Sequence, residues 1–260
     1  MRFTKMHGAG NDFLIFDPEE VEGVDLPALA RRACERHFGV GADGILVAAR
    51  SERADVRMVY LNSDGSLAEM CGNGIRCLAR YARDRGLVSR DALLVETASG
   101  IKKVVLNPDG SSRVEMGRPS FGGEVHLHGY TFLRVSMGNP HAVAFLPSAE
   151  DVEEIELRRI GPKVERDPLF SGGTNVEFAS AGGGGGSVRM RIWERGAGET
   201  LASGSGSCAT AAAALREGLA RSPVRVQLDG GMVVVEWDGG EGPLYMSGPA
   251  EYVCEGRLLF

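Results

Sequence analysis

The sequence predicts an α/β protein made of two similar halves, each a set of strands around one central helix. Three observations carry that expectation. The turn Cys71-Gly72-Asn73-Gly74 and the turn Ser203-Gly204-Ser205-Gly206 match as [Cys/Ser]-Gly-x-Gly, and each leads into a helical run. Short apolar runs bounded by Gly, Asn, Asp and Pro lie on both sides of each helix and read as strands. Glycine is abundant, at 37 residues, as many tight turns between short strands require. The repeat is about 110–130 residues long, too long for a solenoid, and fits a duplicated domain with a pseudo-twofold axis.

The elements follow in order. Residues 3–16 read as a strand, a Gly-rich loop over 7–12 and a second strand. Residues 26–37 form a helix candidate, with Asp25 available as N-cap. Strands follow at 44–48 and 56–62, the second entering the turn Asn62-Ser63-Asp64-Gly65. The helix over 74–85 carries Ile75, Leu78, Ala79 and Ala82 at helical spacing. Strands at 93–96, 101–106 and 112–116 complete this half, the last two joined by the turn Asn107-Pro108-Asp109-Gly110. Gly117-Arg118-Pro119-Ser120 marks the boundary, giving halves of 1–117 and 118–247. The second half reads as strands at 125–127, 130–137 and 141–146, a helix at 151–160, and strands at 175–180 and 187–194. A helix at 209–217 and strands at 224–228, 232–237 and 244–247 finish it. The five glycines 182–186 read as a hairpin loop.

The totals bound the function class. A chain of 260 residues with 43% hydrophobic and 25% charged residues has ample material for a core. The net charge of −6 argues against nucleic acid or an anionic membrane as partner. There is no apolar run of roughly 18 residues, and the first residues carry no apolar signal segment. The five cysteines are odd in number and scattered, which is no disulfide framework, so the expected location is a reducing cytoplasm.

The paired turns suggest chemistry. A helix N-terminus leaves N–H groups unpaired and carries positive partial charge, so two such termini facing one crevice would bind a carboxylate. The same field favours a thiolate, and Cys71 stands at such a place. A cysteine before a helix is more often a small buried residue, and a single Gly-x-Gly means little. It is the paired occurrence that favours function. A group on each side of a bound carbon suits removal of a proton from one face and delivery to the other, as in a cofactor-independent racemase or epimerase of α-amino acids. No cofactor and no metal are expected. His126-x-His128 could place two imidazoles on one strand face, but no further ligands cluster beside them.

The chain resembles the diaminopimelate epimerase family over nearly its whole length. The matching blocks are HGAGNDF (7–13), GVGADGIL (39–46), NSDGSLAEMCGNGIRC (62–77), MGNPHAV (137–143), TNVEF (174–178) and ERGAGETLASGSGSCA (194–209). The resemblance implies two similar domains, each a curled mixed sheet around a central helix, with the site in the cleft between them. It implies that the last strand, within 248–260, returns to the first domain. The implied reaction interconverts LL- and meso-2,6-diaminopimelate, which feeds lysine and peptidoglycan synthesis, without pyridoxal phosphate or metal. The implied catalytic positions are Cys71, Ser203, His141 and Glu194. The N–H groups of Gly72, Asn73, Gly204 and Ser205 would hold the reacting carboxylate. Asn11, Asn62, Asn139, Asn175 and Arg195 would hold the distal amino-acid head, with Glu194 taking an ammonium. An Arg fork and amide donors suit a second carboxylate. His141 follows Asn139-Pro140 at a strand start, where it could tune a thiol or be a satisfied structural histidine. A homodimer is left open.

One position departs from the family. A second catalytic cysteine belongs where this chain has Ser203, and Cys208 lies about one helical turn further on, too far to replace it. A free thiol has a pKa of about 8.5, whereas an alcohol is a far weaker acid. Three readings follow: a Cys→Ser change that leaves an impaired epimerase, a native serine acting slowly or on another amino acid, and a non-catalytic amino-acid-binding homologue.

Overall fold

The computed structural model describes residues 1–68 and 70–260, so Glu69 of the 62–77 block lies outside the described residues. The strands of the early chain are β1 (Arg2–Gly8), β2 (Asn11–Phe16), β3 (Gly44–Ala49), β4 (Val56–Asn62), β5 (Ala92–Thr97), β6 (Gly100–Leu106) and β7 (Ser111–Gly117). Helix α1 (Leu26–Ala33) lies between β2 and β3, and α2 (Gly72–Asp84) between β4 and β5. Then come β8 (Ser120–Leu127), β9 (Tyr130–Ser136), β10 (Pro140–Phe145), α3 (Ala149–Glu154), α4 (Leu157–Glu165), β11 (Asn175–Ala181), β12 (Ser187–Glu194) and β13 (Gly198–Thr200). The chain continues through α5 (Gly204–Arg216), β14 (Val224–Leu228), β15 (Gly231–Glu236), β16 (Leu244–Pro249) and β17 (Glu251–Arg257). Two compact units result: Met1–Val114 with Gly248–Phe260, and Glu115–Ser247.

The duplication is written in the strand pairing. In the first unit the neighbours run β17-β1-β2-β3-β4-β5-β6-β7, with senses antiparallel, antiparallel, parallel, antiparallel, parallel, antiparallel, antiparallel. In the second they run β8-β9-β10-β11-β12-β14-β15-β16 with the same seven senses in the same order. The sheet is therefore mixed in both units. Each parallel pair needs a crossover, and in each unit one of these crossovers contains the glycine-led helix.

Both of those helices are buried by the strands of their own unit. α2 packs against β1 to β6, and α5 against β9 to β12, β14 and β15. Ile75, Leu78, Ala79, Tyr81 and Ala82 of α2 are buried. α5 buries Ala209 and Ala211 to Ala214, and the small side chains let strands approach from all sides. In the first unit Leu14, Phe16, Ile45 and Leu61 pack with Leu29 and Ala30 of α1. In the second, Phe132 and Phe178 meet edge to face with Tyr130, their ring centroids 5.0–6.3 Å apart. Among the described residues no helix is long and apolar enough to cross a membrane.

Three helices differ from the sequence expectation. The helix expected over 26–37 stops at Ala33, because the chain turns back and the N–H groups of Val40 and Gly41 both donate to the Ala33 carbonyl. Gly39 permits the close return: a Cβ there would lie 2.3 Å from the Arg32 carbonyl oxygen. The helix expected over 151–160 is two helices, broken where Ile155 turns extended (φ −60°, ψ 122°). The helix expected over 209–217 starts at Gly204, since Ser203 caps it and buried packing overrides the low propensity of Gly and Ser. The strand expected over 125–127 extends over Ser120–Leu127, and β13 had no distinct apolar signal.

Candidate active site

The two turns have the same backbone. Cys71 is the N-cap of α2 with φ −131° and ψ 123°, and Ser203 is the N-cap of α5 with φ −134° and ψ 122°. Each helix has 13 residues. Cys71 Sγ accepts from the Gly74 N–H at 3.4 Å, and Ser203 Oγ accepts from the Gly206 N–H at 3.2 Å. In both, the next N–H closes the helix onto the cap carbonyl, Ile75 onto Cys71 and Ser207 onto Ser203. The N–H groups of Gly72 and Asn73, and of Gly204 and Ser205, precede the first intrahelical donors, Ile75 and Ser207, and so stand outside the helical ladder, where such groups can donate to an anion.

Amide side chains surround Cys71. Asn11 Oδ1 lies 3.4 Å from Cys71 Sγ and accepts from Asn73 Nδ2 at 3.2 Å. Asn11 Nδ2 donates to Asp43 Oδ2 at 2.6 Å, and Arg76 Nη2 donates to Asn73 Oδ1 at 2.9 Å. Arg76 can only donate and the Asp43 carboxylate only accept, so both amides between them are fixed in direction. Arg76 is fully buried and also donates to the carbonyls of Gly72 and Pro249. Asp43 is in turn held by Arg36 at 2.8 Å.

A second network lies at the serine turn. His141 Nδ1 is 2.5 Å from Glu177 Oε1, and His141 Nε2 is 3.1 Å from Asn139 Oδ1. Asn139 Nδ2 donates to Ser205 Oγ at 3.2 Å. Thr200 Oγ1 donates to Glu194 Oε1 at 2.6 Å. Burial pushes the Glu194 carboxyl above the usual carboxylate range, opposed by Thr200, His141 and Ser203 and assisted by the nearby Glu177. Burial raises the Glu177 carboxyl too, against the pull of His141.

Comparison with known proteins gives the family. The sequence profile described as diaminopimelate epimerase matches residues 3–122 and again 133–253, once in each half. A diaminopimelate epimerase of Desulfitobacterium hafniense is 45% identical, with 100% of this chain and 98% of that protein covered. One of Desulforudis audaxviator is 44% identical, covering 100% and 99%. The chain belongs to the diaminopimelate epimerase family. Solved structures at low identity share its fold. A Bacillus anthracis phenazine biosynthesis protein of the PhzF family superposes with a TM-score of 0.78 at 18% identity, covering 100% of this chain and 99% of that one. A hydroxyproline epimerase from Agrobacterium vitis gives 0.69 at 17%, covering 98% and 91%.

The remaining positions implied by the resemblance to the diaminopimelate epimerase family fall as follows. Asn175 brackets backbone, donating from Nδ2 to the Pro140 carbonyl at 2.9 Å and accepting the Arg195 N–H at 2.9 Å. The exposed Arg195 has Nη1 3.4 Å from the Gly172 carbonyl oxygen. Asn62 Nδ2 donates to Ser66 Oγ at 2.9 Å, within its own turn. His141 is buried, with both ring nitrogens engaged. The imidazoles of His126 and His128 take different partners, Thr131 and Asp167. Sequence reasoning missed Asp43, Arg76, Thr200 and Glu177. All four lie inside the quoted blocks, and none carried a signal of its own there.

The glycines at the two turns have unequal room. A Cβ at Gly74 would meet Phe13, Cys71 and Leu46 at 3.4–3.5 Å, ordinary contact. A Cβ at Gly206 would lie 2.6 Å from Ile192 Cδ1 and 2.9 Å from Glu177 Oε1. Gly74→Ala is therefore expected to be neutral or stabilising by up to about 1 kcal/mol, and Gly206→Ala destabilising by about 1–3 kcal/mol. Thermal melts of the two variants check the opposite signs.

Proposed function

We propose that this chain interconverts LL- and meso-2,6-diaminopimelate by moving a proton across one α-carbon. The observation that carries this is the pair of matching N-caps, Cys71 and Ser203, each with two open N–H groups beside it. The reading requires both turns to serve one substrate. The N–H groups of Gly72, Asn73, Gly204 and Ser205 hold the α-carboxylate and disperse the charge that develops when the α-proton leaves. On one face the Cys71 sulfur takes or gives the proton. On the other face the Ser203 hydroxyl passes it: Ser203 gives its proton to carbon and receives one from the Glu194 carboxyl, and the reverse run returns both. Because an alcohol is a poor acid and base, this side is slow, and the chain is an impaired epimerase. Asn11, Asn62, Asn139, Asn175 and Arg195 take the distal head, and the substrate is a small molecule used without a cofactor.

The test is α-proton exchange in D₂O with LL- and meso-diaminopimelate, followed by NMR. Slow exchange of at least one isomer is expected. Binding of either isomer without exchange, even in a Ser203→Cys variant, would instead make the chain a binding homologue. Exchange of proline or another monocarboxylic amino acid in preference would overturn the substrate assignment. Arg195→Ala adds a second check: it is expected to raise KM for diaminopimelate about tenfold or more with a smaller effect on kcat, whereas a monocarboxylic substrate would not register the change.

A further inference from the structure

Each half is a control for the other. Gly10-Asn11-Asp12-Phe13, leading into β2, corresponds to Gly138-Asn139-Pro140-His141, leading into β10. Phe13 pairs in parallel register with Gly44, as His141 does with Asn175. Two residues along, Leu46 corresponds to Glu177, and each packs at the glycine of its turn, Gly74 or Gly206. The first unit thus places Phe13 and Leu46 beneath its cysteine turn, and the second places His141 and Glu177 beneath its serine turn. All four side chains are buried.

The apolar pair shows that this position does not need charge to fold. A buried acid–imidazole pair is often no more stable than well-packed apolar residues of similar size. Here it is also incompletely satisfied, since Glu177 Oε2 has no hydrogen-bond partner among the described residues. Its other oxygen, Oε1, binds His141 Nδ1, and a chain of contacts runs on through Asn139 to Ser205 in the first turn of α5. Oε1 and Ser203 Oγ both lie within 3.1 Å of the point where a Gly206 Cβ would stand. The pair therefore touches the serine turn twice, once through Asn139 and once directly.

We infer that Glu177 is a positioning residue for the reaction: it fixes the His141 ring and, through His141 and Asn139, holds the Ser203–Ser205 turn in place for proton transfer. This rests on the epimerase reading above.

The test transplants the first unit's solution into the second. In the full chain carrying Ser203→Cys, where exchange is expected to be fast enough to show a loss, His141→Phe and Glu177→Leu are introduced together. Glu177→Gln, which keeps the volume, is made separately. The double change is expected to melt at or above its parent. Both variants are expected to lower kcat, by about 10²-fold in the double variant, as a misplaced turn would, with a smaller rise in KM because the same turn and Asn139 also hold substrate. A clear fall in melting temperature of the double variant would overturn the inference, because the pair would then serve the fold. A kcat within threefold of the parent in both variants would overturn it as well. If the Ser203→Cys form exchanges no amino acid, the proposed reaction has failed. The melts then decide: a lower value rejects the inference, and an equal or higher one supports a pair held for the site.

Discussion

A Ser203→Cys variant is expected to exchange the α-proton of diaminopimelate about 10²–10⁴ times faster than the parent chain, the usual worth of a positioned acid–base group. The cap at 203 has φ and ψ within a few degrees of those at Cys71, so a cysteine fits there with no change of backbone. The new thiol would sit against the Gly206 N–H, the donor that the Ser203 hydroxyl accepts from in the parent chain. Serine is the better cap, so the gain in rate comes with a loss of stability of about 1 kcal/mol or less. NMR in D₂O and a thermal melt read the two effects from one sample. Equal rates in parent and variant would show that a thiol at 203 is not what limits the chain.

Cys71→Ser is expected to do the reverse: exchange falls by about 10² or more. A hydroxyl takes over the cap bond to Gly74, and the melting temperature holds or rises by a few degrees. A thiol is a poor choice of cap on stability grounds alone, which makes Cys71 informative. Asn11 and Asn73 are locked between Arg76 and Asp43, so the surroundings survive the change. Unaltered exchange would remove Cys71 from the reaction, while lost exchange with a collapsed melt would make it structural.

Much of this was legible in the sequence because it is encoded locally. The alternation into Asn62 and the helical spacing of Ile75, Leu78, Ala79 and Ala82 mark β4 and α2. The mixed strand order is not local. Nothing in residues 251–257 says that they pair with β1, and that pairing reached the sequence reading only by resemblance. The ends of α1 and α3 were missed because backbone reversal at Val40 and the break at Ile155 override a good helical composition. At the candidate site, Cys71 and Ser203 announce themselves through a repeated turn. Glu177 does not: in the run Asn175-Val176-Glu177-Phe178 a carboxylate reads as a solvent-facing residue, and its burial follows from α5 covering that face. Asp43 and Arg76 act through amides and left no separable signal in the blocks that contain them.

The pairing of β1 with β17 has a consequence for synthesis. Arg2 lies opposite Arg257, so the first unit's sheet lacks a strand until residues 251–257 have left the ribosome. The second unit is continuous in sequence and has every strand before that. Domains generally fold as they emerge, first half first, but here the half made first is the half completed last. Until β17 arrives, β1 presents an open edge that another chain could occupy.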